Sequence, residues 1–401
     1  MGEKDCRVID RDFLYDLKSG NLKCFYEYVE ELENNLNICF RGHNNKVTIY
    51  KNNHIFWEIK KTDSQRYNII VNFDHARYSP DWKYYRDKLE KLGFGINEGN
   101  ISIEKEGLID KNFVDKTFEI INEMFRDYFD YSCWTKKDYN HPNNINYFKV
   151  EELKEKYKCT RKKQRLIEKI FQQYLFVNVF EGDATEYFAY DLEYSPADDN
   201  DKNKPDILAV KFEEKNEGYK LVFIEVKSLY GSCEGKSSGF KDHLNGMRRY
   251  LEKGLEGECE IVQRFKDAIS IIDSYKEIEL RGFKQGSTPP KMRSFNSINE
   301  WSDFKGIEFL FVFTDTTIND ICKDFNYVPT KNEMSATKWI LNLISPSKHS
   351  TVDKNGRKTE ILETINDIKK HKYLIANKEM PVDVRFMTYN IQDGLNEVYI
   401  I

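Results

Sequence analysis

The chain has 401 residues, of which 40% are hydrophobic, and a formal net charge of −5. This composition is typical of a globular protein and excludes a disordered one, and the length predicts two domains rather than one. The negative net charge argues against a protein that coats nucleic acid through overall basicity, although an enzyme with a local basic cleft stays compatible with it.

The cysteines and the N-terminus narrow the class of protein further. Eight cysteines are scattered without a CxxC pair or a neighbouring His cluster, so a structural zinc site is not expected. The first residues lack the apolar segment of a secretory signal, and no run of about 18 apolar residues predicts a membrane span. We therefore expect a cytoplasmic protein that does not contact a membrane.

Residues 1–150 have the pattern of a separate, small α+β domain, in which amphipathic helices alternate with short strands. The predicted helices are Phe25–Leu36, Asp81–Leu92 and Lys111–Phe129, and the predicted strands are Val47–Lys51, His54–Lys60, Tyr67–Phe73 and Ile101–Glu104. Gly93 is expected to end the second helix. A polar linker is predicted at Thr135–Asn146. For this domain we keep two hypotheses, recognition of a partner and binding of a regulatory ligand.

Residues 151–401 predict a different order of elements: a helix, three strands, one or two helices, and a strand. The predicted elements are the helix Thr160–Val177, the strands Glu186–Tyr194, Asp206–Phe212 and Tyr219–Leu229, the helices Phe240–Leu251 and Ile261–Ile278, and the strand Ile307–Thr314. Two further helices are predicted at Ala336–Leu343 and Glu360–Lys369, and a last strand at Val382–Tyr389. The fold class expected from this order is α/β.

Three charged residues stand in a predicted strand pair that is otherwise apolar. Asp206 opens one strand, and Glu225 and Lys227 close the next. Side chains alternate between the faces of a strand, so Glu225 and Lys227 point to the same side, and the intervening turn can bring Asp206 near Glu225. Such charges are costly in a buried strand unless they are paired or bind a cation. Carboxylate oxygens suit Mg²⁺ or Mn²⁺, so we predict a divalent-metal site.

The sequence Pro205-Asp206, followed by Glu225-Val226-Lys227, resembles the signature of the PD-(D/E)XK nuclease superfamily. This superfamily includes restriction endonucleases, Holliday-junction resolvases and RecB-type nucleases. The resemblance covers roughly residues 160–315 and implies a restriction-endonuclease-like mixed sheet flanked by helices. It also implies that Asp206, Glu225 and the backbone carbonyl of Val226 bind Mg²⁺ or Mn²⁺, and that Lys227 is the catalytic lysine.

Many members of the superfamily carry a further glutamate on the helix before the first strand. Glu168 matches this metal-binding role by position, with Glu181 and Glu186 as alternatives. The Gln-x-x-x-Tyr submotif of RecB-type members is absent, because Gly246 stands four residues before Tyr250. The resemblance therefore does not extend to that branch of the superfamily.

Several basic residues near these positions could contact phosphate groups of a substrate. Lys236 and His243 follow the strand that carries Glu225, and the loop Arg281–Arg293 could act as a clamp or be a plain connection. A basic cluster on the helix before the first strand comprises Arg161, Lys162, Lys163 and Arg165. The alternative interpretation of that cluster is a solvated first helical turn, and of His243 a partly buried helix residue.

Together these patterns predict a metal-dependent endonuclease that hydrolyses phosphodiester bonds, with DNA favoured over RNA, in prokaryotic restriction or anti-phage defence. Nucleases of this type often need two sites to cut both strands of a duplex, which a homodimer would supply. One alternative is a protein that binds nucleic acid or a partner on a degenerate nuclease core. In another, residues 1–150 gate the nuclease. In the simplest alternative, Glu225 and Lys227 merely pair on an exposed face of a sheet.

Overall fold

A computed structural model gives the fold of the protein. The residues that it describes are 9–31, 36–40, 45–51, 54–72, 82–97, 100–131, 161–180, 186–192, 205–213, 218–228, 233, 239–253, 258–281, 283, 301–314, 336–344, 357–370, 373–375, 378–390 and 392–398. The protein is a mixed α and β structure with two multi-stranded sheets. Within these residues, no helix is long and apolar enough to cross a membrane.

The chain divides into two compact units, Arg7–Lys169 and Ile170–Ile401. The division falls inside a continuous helix, whereas the sequence predicts it between residues 150 and 151. The predicted linker Thr135–Asn146 lies outside the described residues.

The first unit is built around an antiparallel sheet. Its described helices are α1 (Arg11–Lys18), α2 (Lys23–Glu30), α3 (Trp82–Lys91) and α4 (Lys111–Tyr131). Its described strands are β1 (Leu36–Phe40), β2 (Lys46–Lys51), β3 (His54–Asp63), β4 (Arg66–Asn72), β5 (Gly95–Asn97) and β6 (Asn100–Glu106). They lie in the order β1-β2-β3-β4-β6-β5, and all neighbours are antiparallel. The first unit therefore combines helices with an antiparallel sheet.

The first predicted helix differs from the structure at its end. The sequence predicts it over Phe25–Leu36, but α2 ends at Glu30 and Leu36 begins the buried strand β1, which pairs with β2. Pairing and burial in the sheet outweigh the helical period there. Gly93 does end α3, with φ of +92°, a backbone conformation that glycine adopts without strain.

The second unit holds the strands of the predicted nuclease-like segment, and the boundary between the units falls within its first helix. The helix α5 (Arg161–Tyr174) continues into a π-helical turn, Leu175–Val179, and the strands are β7 (Tyr187–Leu192), β8 (Ile207–Glu213), β9 (Gly218–Lys227), β10 (Phe304–Thr314), β11 (Tyr373–Ile375), β12 (Lys378–Met380), β13 (Val382–Asn390) and β14 (Gly394–Val398). The other helices are α6 (Phe240–Lys253), α7 (Glu258–Glu277), α8 (Ala336–Ile344) and α9 (Arg357–Lys370).

The large sheet of this unit is mixed, with the described strands in the order β14-β13-β10-β9-β8-β7. The central strands β9, β10 and β13 are parallel, and β7, β8 and β14 are antiparallel to their neighbours. Parallel strands are usually covered on both faces, and β9 is indeed buried along its whole length. The polar carboxyl end of β9 therefore lies in the interior.

Helix α6 covers one face of the sheet next to the end of β9. Phe240, its first residue, packs edge-on against Phe311 of β10, with ring centroids 4.7 Å apart, and also contacts Phe386 of β13. Phe311 is the partner of Glu225 in the β9–β10 ladder. Paired residues point to the same face of a sheet, so α6 packs over the face that carries Glu225.

Candidate active site

Asp206 directly precedes β8, and Glu225 lies on the neighbouring antiparallel strand β9. Ile207 of β8 pairs with Ile224 of β9, so Asp206, one residue earlier, and Glu225, one residue later, stand side by side at the same end of the ladder. Oδ2 of Asp206 accepts a hydrogen bond of 2.8 Å from the backbone N–H of Val226. The two carboxylates that the sequence predicts to meet are brought together.

Two nitrogen atoms of other side chains contact the same carboxylate oxygen of Glu225. Nζ of Lys227 lies 2.6 Å from Oε1 of Glu225, and Nδ1 of His243 lies 3.0 Å from the same oxygen. The side chains of Glu225 and Lys227 are only 1% and 2% exposed. Glu225 and Lys227 thus do pair, as the simplest alternative holds, but the pair is buried rather than on an exposed face.

The surroundings of Glu225 favour its ionised form. Burial by itself would raise the pKa of this carboxyl, but attraction and hydrogen bonds from His243 and Lys227 outweigh burial and lower the pKa to about 2. Glu225 is therefore an anion at neutral pH, the form that a metal ligand requires.

The second carboxylate oxygen of Glu225 differs from the first in its contacts. Oε2 is buried, and no hydrogen-bond donor among the described residues reaches it. Buried carboxylate oxygens ordinarily accept a hydrogen bond, because an oxygen without a partner does not recover the free energy lost on leaving water. An anionic oxygen in this state fits a cation ligand, and the neighbouring carboxylate of Asp206 fits a second. The residues present thus suit Mg²⁺ or Mn²⁺, which prefer oxygen ligands.

No protein-family model matches the chain, and neither curated proteins nor solved structures gave a match. What the site does must therefore be argued from its own chemistry.

A metal site made of three or more His, Cys, Asp or Glu side chains is not found in the described part of the chain. The metal ligands that the resemblance implies in the strand pair include only two such side chains, Asp206 and Glu225. The third ligand there is the backbone carbonyl of Val226. The metal-binding roles of Asp206, Glu225 and Val226 stay predictions.

The remaining predicted residues have varied positions. Glu168 lies half-buried on α5, in the part of that helix assigned to the first unit, and its metal role stays a prediction. Lys236 and the alternative ligand Glu181 lie outside the described residues. For the basic cluster on α5 the structure describes the helical backbone alone; these residues are Arg161, Lys162, Lys163 and Arg165.

Two of the predicted residues make ion pairs or hydrogen bonds away from Asp206 and Glu225. The alternative ligand Glu186 is bound by Arg385 at 2.8 Å and Lys211 at 3.1 Å. Glu186 directly precedes Tyr187 of β7, which pairs with Lys211 of β8. Asp206 stands at the opposite end of β8, so Glu186 does not join the site. Arg281, the first residue of the suggested clamp, is buried and donates to the carbonyl oxygens of Phe176 and Ala189. Of the other residues in that predicted loop, the structure describes Phe283 alone.

Two features of this region escaped the sequence interpretation. The contact of His243 with Glu225 could not be predicted, because it depends on how α6 packs on the sheet. Asp191 of β7 is fully buried and pairs with Leu208, two residues after Asp206, which puts it on the same face of the sheet as Asp206. The clue to Asp191 was an acid within the apolar run of β7.

Proposed function

We propose that the second unit is a divalent-metal-dependent nuclease with a restriction-endonuclease-like core, which hydrolyses phosphodiester bonds, of DNA in preference to RNA. The observation that carries this proposal is the geometry at the end of β9. Asp206 and Glu225 stand side by side, Lys227 contacts Glu225, and a buried carboxylate oxygen of Glu225 receives no hydrogen bond from the part of the chain that the structure describes.

The order of the elements supports the same proposal. The superfamily core runs helix, three strands, helix and strand, and the chain presents α5, then β7, β8 and β9, then α6 and α7, then β10. Asp206 precedes the second of these strands and Glu225 and Lys227 end the third, which are the positions that the superfamily signature requires.

Each residue of the proposed site has a distinct task. Asp206, Glu225 and the carbonyl of Val226 would hold Mg²⁺ or Mn²⁺. The cation, when bound, supplies Lewis-acid chemistry, because it acidifies the attacking water and offsets charge on the phosphate. The ammonium of Lys227 offsets the negative charge that develops on the phosphoryl oxygens. The buried surroundings strengthen this electrostatic effect.

A second candidate is a binding protein on a degenerate nuclease core. The ion pair between Lys227 and Glu225 favours it, since a carboxylate neutralised by a lysine can be a structural element without a cation. The two candidates differ in metal affinity, because a degenerate core has no need to bind Mn²⁺ in the presence or absence of nucleic acid.

Cleavage of plasmid DNA tests the proposal. Purified full-length protein would be incubated with plasmid in Mg²⁺ or Mn²⁺, beside an EDTA control, the Lys227→Ala variant and a parallel reaction on single-stranded RNA. We expect nicked or linear plasmid that requires both the metal and Lys227. Cleavage of RNA alone would overturn the preference for DNA, and cleavage of neither nucleic acid, together with absence of Mn²⁺ binding, would favour the degenerate core.

A further inference from the structure

Oε1 of Glu225 is held by two donors that differ in kind. Lys227 is a neighbour on the same strand and reaches Oε1 with a flexible side chain. His243 belongs to α6 and approaches from outside the sheet, with Nδ1 at 3.0 Å. Because a carboxylate oxygen only accepts, the Nδ1 atom of His243 must bear the proton of this contact. Both contacts are made to Oε1, and Oε2 has no hydrogen-bond donor within the described ranges of the chain.

The two donors are not equally available during a reaction. In the proposed function, the ammonium of Lys227 serves the phosphate, so it cannot hold Glu225 throughout. The His243 side chain is 13% exposed, and its helix is fixed on the sheet by Phe240, which packs against Phe311. His243 is therefore the donor that can hold Glu225 when Lys227 turns to the substrate.

We propose that His243 is a positioning residue of the cation site, which donates from Nδ1 to Oε1 of Glu225 and so presents Oε2 to the divalent cation. This inference rests on the proposed function, and it replaces the direct phosphate contact that the sequence suggests for His243. Ligands of metal ions are commonly oriented by such hydrogen bonds, and removal of the partner usually weakens metal affinity roughly 10- to 100-fold.

Three substitutions separate the donor from the bulk of the side chain. His243→Ala removes the donor. His243→Asn places an amide N–H on the same carbon that carries Nδ1 in histidine, whereas His243→Gln places it one bond further, where it matches Nε2. Arg249→Ala, at an exposed position of the same helix, is the matched control. If His243→Ala fails to fold, the comparison of His243→Asn with His243→Gln still tests the position of the donor, because both variants carry an amide.

The readout is Mn²⁺ affinity of the full chain, measured by calorimetry without nucleic acid. We expect roughly 10- to 100-fold weaker binding for His243→Ala and His243→Gln, with most of the affinity restored in His243→Asn and no change in Arg249→Ala. In cleavage assays, excess metal should restore the rate of His243→Ala, which would not occur if the substitution had disrupted the fold.

The outcomes distinguish this inference from the proposed function. If the wild type binds Mn²⁺ and the three His243 variants bind it equally well, the positioning role is overturned and the metal site stands. If His243→Asn is as weak as His243→Ala, the donor is not the cause and the inference is also overturned. If the wild type binds no Mn²⁺ and cleaves nothing, the proposed function fails, and this inference fails with it.

Discussion

Glu225 carries a negative charge on a side chain that is only 1% exposed, and contacts with Lys227 and His243 stabilise that charge. Its pKa in the folded protein lies below the ordinary value of 4.5. A carboxyl with a lowered pKa stabilises the folded state above its unfolded-state pKa, and this stabilisation is lost as the pH falls through the folded-state pKa. The charge of Glu225 should therefore contribute to stability at neutral pH even without metal.

This leads to a prediction for Glu225→Gln. In EDTA, the wild type should be more stable than the variant above about pH 4.5, and the difference should shrink steadily as the pH falls toward about 2. Urea unfolding at a series of pH values measures it. A difference that stays constant between neutral and acidic pH would mean that the charge of Glu225 is not favoured by its neighbours.

Lys227 should matter for cleavage but not for metal affinity. Lys227→Met keeps the volume of the side chain and removes a positive charge beside the proposed cation site, so Mn²⁺ should bind at least as tightly as to the wild type. Cleavage should fall by about 100-fold or more, because the charge on the phosphoryl oxygens is no longer offset. Calorimetry and a cleavage assay measure the two effects, with the exposed Lys266→Ala as control. Weaker Mn²⁺ binding in Lys227→Met would contradict the role assigned to Lys227.

The sequence predicts how the charged residues within the strand pair are placed, but it does not predict which side chain packs against them from another element. Strand alternation puts Glu225 and Lys227 on one face, and the short turn brings Asp206 beside Glu225, so local geometry suffices for these residues. The contact of His243 depends on tertiary packing of α6, which no local period encodes.

At the scale of elements, β10 combines an apolar sequence with a buried charge near its start. Glu308 is fully buried and accepts a hydrogen bond of 2.6 Å from the hydroxyl of Tyr187, and Lys211 lies 3.2 Å away. Burial raises the pKa of Glu308, although the charges of Lys211 and Arg385 act in the opposite direction. These groups join β7, β8, β10 and β13 across the sheet.

Removal of this carboxylate should destabilise the protein. Glu308→Ala removes a negative charge that Lys211 and Arg385 contact. The free energy of unfolding should fall by about 3 kcal/mol, the lower end of the range for a broken buried ion pair. The lower end applies because both cations keep other partners. Denaturant unfolding measures it. The exposed Glu363→Ala on α9 is the control, with an expected change within about 0.5 kcal/mol. Equal stability of Glu308→Ala and the wild type would show that the network contributes nothing.

The sequence predicts several of the long elements and misses the shortest strands. The strong periods predict α4, α6, α7, β10 and β13 close to their observed bounds. The sequence does not predict the short strands β5, β11 and β12, which have three residues each. A strand of three residues has too few positions to show alternation, and it forms because a neighbouring strand pairs with it.

At the scale of the whole molecule, the chain has two units, each with its own sheet and buried core. Asp206, Glu225, Lys227 and His243 all belong to the second unit. The fragment of residues 151–401, which contains α5 entire, should therefore fold and retain metal-dependent cleavage. Circular dichroism and the plasmid assay test this, with Lys227→Ala in the same fragment as control. A folded fragment without activity would mean that the first unit supplies part of the active site.

Comparison of that fragment with the full chain also tests the gating hypothesis. If residues 1–150 restrain the nuclease, the fragment should cut faster than the full-length protein at equal concentration. Equal rates would remove the support for gating and leave recognition of a partner as the hypothesis for the first unit.

The most direct measurement is the rate of DNA strand cleavage against Mg²⁺ concentration for the wild type and Asp206→Asn. The variant keeps the size of the side chain and an oxygen that can accept the N–H of Val226, and it loses the charge that would bind the cation. We predict saturable, Mg²⁺-dependent cleavage by the wild type and a loss of about 100-fold or more in the variant. Cleavage by Asp206→Asn at the rate of the wild type would contradict the proposed metal site.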